Sequence, residues 1–394
     1  MFTSNFHKNT LKMTNRIILL RSFFLFSFLL LFSVAQAKPG KLPKKKKILK
    51  TLRLTNDYFM QKWPDPGKEI VTNKTRPSNI WTRGIYYIGL MELYRTDPQQ
   101  RYYDYAVDWG QKHNWGLTGG DHVRHADYQT CGQTYIDLYK IDPKPERIRS
   151  IKASMDNMVN STKVNDWDWI DALMMAMPLY TQLAQVYPES ADSYYKKMHE
   201  MYLATKNEIG GGLYNQEHGL WWRDKDFVPP MKSPNGKDIY WSRGNGWVVA
   251  ALVRVMSMLP KDHPNYQEYQ KTYLEMMKAL VPIQREDGFW NVSLHDPNHF
   301  GGKETSGTAL FVYGMAWGVN NGLLDKKMYT PIIAKAWNAM TKDAVHPNGF
   351  LGYLQGTGKE PKDGQPVSYT SKPDFEDYGL GCFLLAGTEI TKMK

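Results

Sequence analysis

Apolar residues recur along this chain at helical spacing. Tyr86, Leu90, Leu93 and Tyr94 share one helical face, as do Leu179, Leu183 and Val186; Val249, Leu252, Val253 and Met256; Tyr273, Met276, Met277 and Leu280; and Phe311, Val312, Met315 and Ala316. Gly/Pro/Asn/Asp clusters at 115–120, 210–212 and 346–349 break the period, and alternating strand patterns are few and short. From about residue 48 to 394 the texture is constant, with no Ser/Pro/Gly-rich linker, which predicts one large domain. At ~28 residues per helix-loop unit, roughly 340 residues give about a dozen helices, a number that suits a toroid of paired helices rather than a small bundle. The loops at one rim of a toroid form its site, and the aromatic-rich loops 214–227 and 288–291 are expected there. Residues 352–377 have no helical period, and at that length inside a compact domain they read as a substrate-facing lid.

The first 37 residues stand apart. Lys8, Lys12, Arg16 and Arg21 precede the apolar run 22–34, which ends in Ala35-Gln36-Ala37, the small-x-small pattern of a cleaved export signal. Met13 is an alternative start that gives a more ordinary signal length. The run is too short to span a membrane, and no Cys follows the cleavage point to take a lipid. The expectation is an exported protein, periplasmic or secreted, without a membrane span after cleavage.

Charge changes the picture less than its total suggests. Of the formal net charge of +11, residues 1–37 contribute +4 and residues 38–53, a Lys-rich arm, contribute +8, so the body at 54–394 carries −1. A near-neutral body without RNP-like, zinc-spaced or basic-helix motifs gives no support for nucleic-acid binding. Cys131 and Cys382 make no disulfide framework and are expected as buried free thiols.

Two segments carry chemistry, Trp167-Asp168-Trp169-Ile170-Asp171 and Trp241-Ser242-Arg243-Gly244-Asn245-Gly246-Trp247. An indole face covers the apolar face of a sugar ring while a carboxylate and a guanidinium hold its polar edge, so the pairing suggests a saccharide site containing an acid. Amphipathic helix ends with Trp in the core explain the same residues equally well. If Asp166 caps a helix and Pro178 kinks or ends it, residues 167–177 are helical, and Asp171 lies one turn from Trp167, Met174 and Met175, apolar neighbours that raise its pKa. Asp168 competes for the role, its plainer reading being a first-turn acid favoured by the helix dipole. His295-Asp296-Pro297-Asn298-His299 reads as a rim loop rather than a metal site, because a Pro-interrupted loop does not hold two His on one face.

Seven blocks in order carry a resemblance: Arg83-Gly84; His125-Ala126-Asp127 with Gly132-Gln133-Thr134-Tyr135; Trp169 to Leu173; Gly219-Leu220-Trp221-Trp222-Arg223-Asp224; Trp241 to Trp247; Glu304-Thr305-Ser306-Gly307-Thr308-Ala309; and Tyr378-Gly379-Leu380-Gly381. Together they resemble the unsaturated uronyl hydrolases of glycoside hydrolase family 105. The resemblance implies an all-α (α/α)6 barrel with no metal and no organic cofactor; the expected state is a monomer. Its implied substrate is the 4,5-unsaturated uronic acid that a polysaccharide lyase leaves at the non-reducing end of an oligosaccharide, linked to rhamnose in rhamnogalacturonan or in ulvan, with the Lys-rich arm and Arg223 favouring the sulfated polymer.

The resemblance assigns Asp171 as proton donor and then base, and Asp127 as a second carboxylate that fixes sugar hydroxyls or orients Asp171. Trp169, Met175, Arg223, Trp241, Arg243 and Trp247 are the expected substrate contacts, with Gly244 and Gly246 permitting close approach. Relatives place a His where this chain has Arg223; a permanent cation there meets a second substrate anion or pairs with Asp224. Two other classes remain open, a toroid polysaccharide lyase using Tyr and Arg, and a non-catalytic carbohydrate-binding protein.

Overall fold

The computed structural model describes residues 40–393; the expected signal peptide, residues 1–37, lies outside the described residues. The chain from Lys41 onward is one compact unit. It is built from α1 (Lys45–Lys62), α2 (Trp81–Thr96), α3 (Gln100–Lys112), the single turn α4 (Ala126–Gln129), α5 (Cys131–Ile141), α6 (Arg149–Val159), α7 (Asp171–Val186), α8 (Ala191–Asn207), α9 (Ser242–Met256), α10 (Tyr266–Leu280), α11 (Thr305–Asn320), α12 (Lys326–Ala339) and α13 (Asp377–Ile390). Two antiparallel two-residue ladders complete it, β1 (Ile70–Val71) with β2 (Thr75–Arg76), and β3 (Tyr214–Asn215) with β4 (Leu220–Trp221).

The long helices form two rings. Helices α2, α5, α7, α9, α11 and α13 pack in succession, and α13 returns to α2 and closes the circle. The other long helices flank them, α3 on α2, α8 on α7, α10 on α9, α12 on α11 and α1 on α13. Burial follows position. Every residue of α9 and of α13 is buried, whereas α10 buries only the stripe Tyr266, Tyr269, Thr272, Tyr273, Met276, Met277 and Leu280. Apolar content all round makes an inner helix and a one-sided stripe makes an outer one, which is how the sequence sorts itself into an (α/α)6 barrel.

The boundary expected at residues 53 and 54 is not a boundary. Helix α1 runs through it, burying Ile48, Leu52 and Phe59 against the barrel, and Asn338 donates to the Lys41 carbonyl. The Lys-rich stretch is mostly the exposed side of a packed helix, not a separate arm.

Helix α7 also departs from expectation at both ends. It begins at Asp171 and not at Trp167, because Asp166 is taken by Arg124 and Lys163 and so caps nothing. It then continues through Pro178 to Val186. A proline ring removes one helical N–H and strands the carbonyl four residues earlier, here that of Met174. Gln133 Nε2 on neighbouring α5 donates to that carbonyl at 2.8 Å and to the Met175 carbonyl at 3.1 Å. The vacancy is filled from outside the helix, and the helix survives.

All six inner helices run in the same direction. Residues at or just beyond their C-termini, among them Arg95, Lys140, Gln185, Arg254, Asn320 and Lys392, line one cavity of about 500 Å³ at one mouth. The cations there face the negative ends of six helix dipoles, and Arg95, Arg254 and Lys392 pair with Asp137, Glu92 and Glu389 of the same cavity. The opposite mouth therefore collects six helix N-termini, and with them Trp81, Asp171, Arg243, Glu304 and Asp377.

Candidate active site

Asp171 is the first residue of α7 and is 8 % exposed. The chain leading into it is held by a pairing that no local sequence rule shows. Trp169 bridges antiparallel to Asp224, and the Ile170 N–H donates to the Arg223 carbonyl at 2.9 Å. Asn245 fixes the other side of this ribbon: its side chain accepts from the Trp221 N–H at 2.8 Å and donates to the carbonyls of Trp221 and Trp241. One buried amide thus joins β4 to the start of α9.

The charges meet at Asp171. Arg223 donates from Nε to Asp171 Oδ2 at 3.1 Å and from Nη1 to Asp224 Oδ2 at 2.7 Å. Burial pushes the Asp171 carboxyl above the ordinary aspartate range, and the positive charges of Arg223 and then Arg243 pull it back. Asp127, half-buried on α4, is pushed up to about 7, first by burial and then by the charge of Asp171, with Arg223 opposing. Because the charge of Asp171 is one cause of the rise in Asp127, the two carboxyl groups titrate as coupled sites.

An aromatic surface lies beside them. Trp169, half-buried, packs on the His125 ring at 4.9 Å, and His125 packs on Tyr128 at 5.0 Å. His125 Nδ1 also accepts from the Asp127 N–H at 3.3 Å, so the same imidazole orients the second carboxylate and backs the indole. Trp81, half-buried at the start of α2, packs on Tyr378 at 5.4 Å and edge-on to Trp247 at 6.3 Å.

The structure brings Asp171, Asp127, Arg223 and Trp169 together, with Arg243 reaching them by charge. It places the other expected contacts differently. Met175 and Trp247 have essentially no exposed surface, and Trp241 donates its Nε1–H to Gln355 Oε1 at 2.8 Å inside the wall. The Arg243 guanidinium is buried over the Trp241 ring at 4.4 Å, donating to the Gln355 carbonyl at 3.2 Å, the Tyr378 hydroxyl at 3.0 Å and the Gly356 carbonyl at 2.8 Å. As placed, these four residues build the wall behind the site. Gly244 and Gly246 serve packing of the same kind: a Cβ on Gly246 would lie 2.8 Å from Leu310 of α11, and one on Gly244 2.9 Å from Trp241.

Arg243 also explains residues 352–377. The loop is strapped to the rim through Gln355, whose Nε2 donates to the carbonyls of Glu360, Pro361 and Asp363 while its own oxygens take Arg243 and Trp241. Gln355, His125 and Trp81 are the rim residues that sequence reasoning did not single out, and only His125 stood in a block that flagged its neighbourhood. Elsewhere on the rim, Asp296 is committed to Ser233 and Asn235, and His295 packs edge-on to His218 and Tyr240. Cys131 and Cys382 are buried free thiols.

With this geometry in hand, comparison with known proteins decides the lineage. The sequence profile of Glycosyl Hydrolase Family 88 matches residues 52–394. The chain belongs to that family. A curated relative, the unsaturated 3S-rhamnoglycuronyl hydrolase of Formosa agariphila, is 32% identical over 335 residues, covering 80% of this chain and 85% of its own. A solved family 88 glycosyl hydrolase from Bacteroides vulgatus superimposes with a TM-score of 0.81 at 32% identity, covering 89% of this chain and 100% of that one. A second structure, described as a polysaccharide lyase, gives 0.79 at 33% identity over 88% of this chain and 96% of its own. The resemblance read from the seven blocks holds for family and fold, under the family number 88. This family 88 hydrolase puts its paired carboxyl groups at the rim where the inner helices begin.

Proposed function

We propose that this glycosidase removes the 4,5-unsaturated uronic acid from the non-reducing end of lyase-generated oligosaccharides by hydrating its C4=C5 enol ether. The observation that carries the reading is the buried carboxyl of Asp171, raised by burial and coupled by charge to the raised Asp127, beside the half-buried indole of Trp169. In ordinary glycoside hydrolysis two carboxylates flank the glycosidic bond. Here one acid suffices. Asp171 gives its proton to C4, the π electrons form the new C4–H bond, and the positive charge at C5 is shared with the ring oxygen. Water adds to C5 while its proton returns to the Asp171 carboxylate. The hemiketal opens to a C5 ketone, and the hemiacetal left at C1 collapses to an aldehyde and expels the aglycone with its own oxygen. Asp127 orients Asp171 and the ring hydroxyls. Arg243 Nε and Trp247 Nε1, buried donors without a partner among the described residues, support keeping these residues as hydroxyl ligands once sugar is bound.

For the aglycone we favour rhamnose carrying a 3-sulfate, as in ulvan, over the rhamnose of rhamnogalacturonan. The support is the name of the Formosa agariphila relative; the lysines of α1 lend none. The sequence of residues 1–37 supports export to the periplasm or beyond. The lyase reading keeps one supporting observation, the description of the second similar structure. One experiment separates the readings through the ultraviolet band of the C4=C5 bond. Lyase-digested ulvan should lose the band at least tenfold faster than lyase-digested rhamnogalacturonan, and intact polymer should gain none. Appearance of the band from intact polymer would establish a lyase, and preference for the pectic digest would remove the sulfated substrate.

A further inference from the structure

The resting site contains a conflict. A proton donor must be protonated, yet the only cation hydrogen-bonded to Asp171 among the described residues, Arg223, favours its ionised form. Arg223 has two anchors of unequal firmness. Its 2.7 Å bond goes to Asp224, which is fixed by its bridge to Trp169 and by accepting the Asp226 N–H at 2.9 Å. The bond to Asp171 is longer, at 3.1 Å, and Nη2 makes no hydrogen bond among the described residues. The side chain is 20% exposed, where Arg243 is buried with both Nη groups committed to Gln355, Gly356 and Tyr378. Asp224 alone is enough to tie the arginine down. The second arm is aimed at the acid and open to solvent.

The substrate class proposed above brings its own anion to this point. The uronate carboxylate hangs on C5, next to the C4 atom that Asp171 must protonate, so a ring seated for proton transfer places a carboxylate within reach of the group that neighbours Asp171. We infer that Arg223 is a handover residue: it pairs with Asp171 in the empty site, swings about its Asp224 anchor to the carboxylate of the arriving uronate, and so leaves Asp171 to take up from solvent the proton it then delivers to C4. The inference rests on the hydration reading. It makes Arg223 a positioning and specificity residue, because a neutral sugar cannot draw it away.

The groups facing Asp171 set the sign of the effect. Arg223 comes from the segment after β4 together with its partner Asp224, Arg243 from α9 and Asp127 from α4, while His125, which caps α4, accepts from the Asp127 N–H and feels the charge of Asp168 from the loop before α7. Burial lowers the His125 imidazole below its ordinary range against the charge of Asp168, and Arg243 stays bonded to the 352–377 loop. When Arg223 leaves, the carboxyl pair loses its nearest counter-charge and its affinity for a proton rises.

The test is proton uptake on binding, measured at pH 7 by titration calorimetry in buffers of different ionisation enthalpy. The probe is a saturated uronate disaccharide, which carries the carboxylate but has no C4=C5 bond to turn over. The wild type is expected to take up a large fraction of one proton per site. Arg223→Gln should take up almost none and bind on the order of tenfold to a hundredfold more weakly. Asp171→Asn should lose most of the uptake. With the unsaturated substrate, the basic limb of kcat should lie about one pH unit or more above that of kcat/KM in the wild type, and the two should coincide in Arg223→Gln.

No uptake in the wild type, or equal limbs, would overturn the handover. Uptake undiminished in Asp171→Asn would assign the proton to Asp127 or His125 and overturn it too. Uptake produced by a sulfated neutral disaccharide but not by the uronate would replace the carboxylate with sulfate as the partner and refute the inference as stated. If the wild type fails to bleach any unsaturated uronide, the hydration reading itself has failed; bleaching without uptake or limb separation is failure of the handover alone.

Discussion

Replacing Asp171 by asparagine is expected to cut turnover by about 10³-fold or more, ~4 kcal/mol of barrier, with the fold unchanged. The amide is nearly isosteric and can still accept from Arg223 Nε, so the junction of α7 with the Trp169–Asp224 bridge should persist. It has no acidic proton to give to C4. Asp127→Asn should cost less, because the role proposed for Asp127 is to orient Asp171 and the ring hydroxyls, and the charge of Asp171 already acts on it. Single-turnover rates on one unsaturated disaccharide, with melting curves of both variants, make the comparison. Activity of Asp171→Asn within about tenfold of wild type, ~1.4 kcal/mol, would sink the assignment and pass it to Asp127 or Asp168.

The second large effect is on stability and lies where the ring closes. Arg83 of α2 and Asp377 of α13 form an ion pair at 3.1 Å with side chains 1% and 4% exposed, and the guanidinium lies over Trp63 and Phe59. Arg83→Met keeps the volume and strands a buried carboxylate, a loss of about 3 to 5 kcal/mol. Removing both charges, as in Arg83→Met with Asp377→Leu, should recover much of it, since the desolvation cost then disappears. The sign of the pH dependence follows from Asp377. Burial already holds its carboxyl above the ordinary range, with Arg83 pulling it down. Without Arg83 it rises further, so the native state keeps a proton that the unfolded chain releases, and stability falls as pH rises. The deficit against wild type should be largest near neutral pH and shrink towards acid. Urea midpoints across that range check it, and a loss below about 1 kcal/mol at pH 7 would mean that the ring closes without this pair.

These residues also show what a sequence can display. The barrel was legible because its helices sort by burial, and burial is written in local periodicity: α10 shows a stripe and α11 shows none. Asp171 was legible as an acid among apolar residues. Its helix start was not, because Trp167-Asp168-Trp169 has helical texture, and what overrides it is pairing of Trp169 with Asp224, 55 residues onward. Pro178 misled for the same reason, its missing N–H being replaced by a glutamine 45 residues earlier. The charge run at 38–53 masked a legible pattern, Ile48, Leu52, Phe59, that belongs to α1. Arg223 was read as free to meet substrate or bound to Asp224. The structure shows the Asp224 pair and adds Asp171, a contact that spacing cannot reveal.

The central claim is that the enzyme adds water across C4=C5 and releases the aglycone only as a consequence. A substrate analogue in which a methylene group replaces the glycosidic oxygen tests it most directly. Hydration needs only the enol ether and Asp171, so the ultraviolet band of the C4=C5 bond should disappear on incubation with the wild type, with no aglycone set free, and should persist with Asp171→Asn. Attack at the anomeric carbon needs an oxygen leaving group, and on this analogue it can do nothing. A band that stays unchanged while the analogue is shown to occupy the site as a competitive inhibitor would contradict the hydration account.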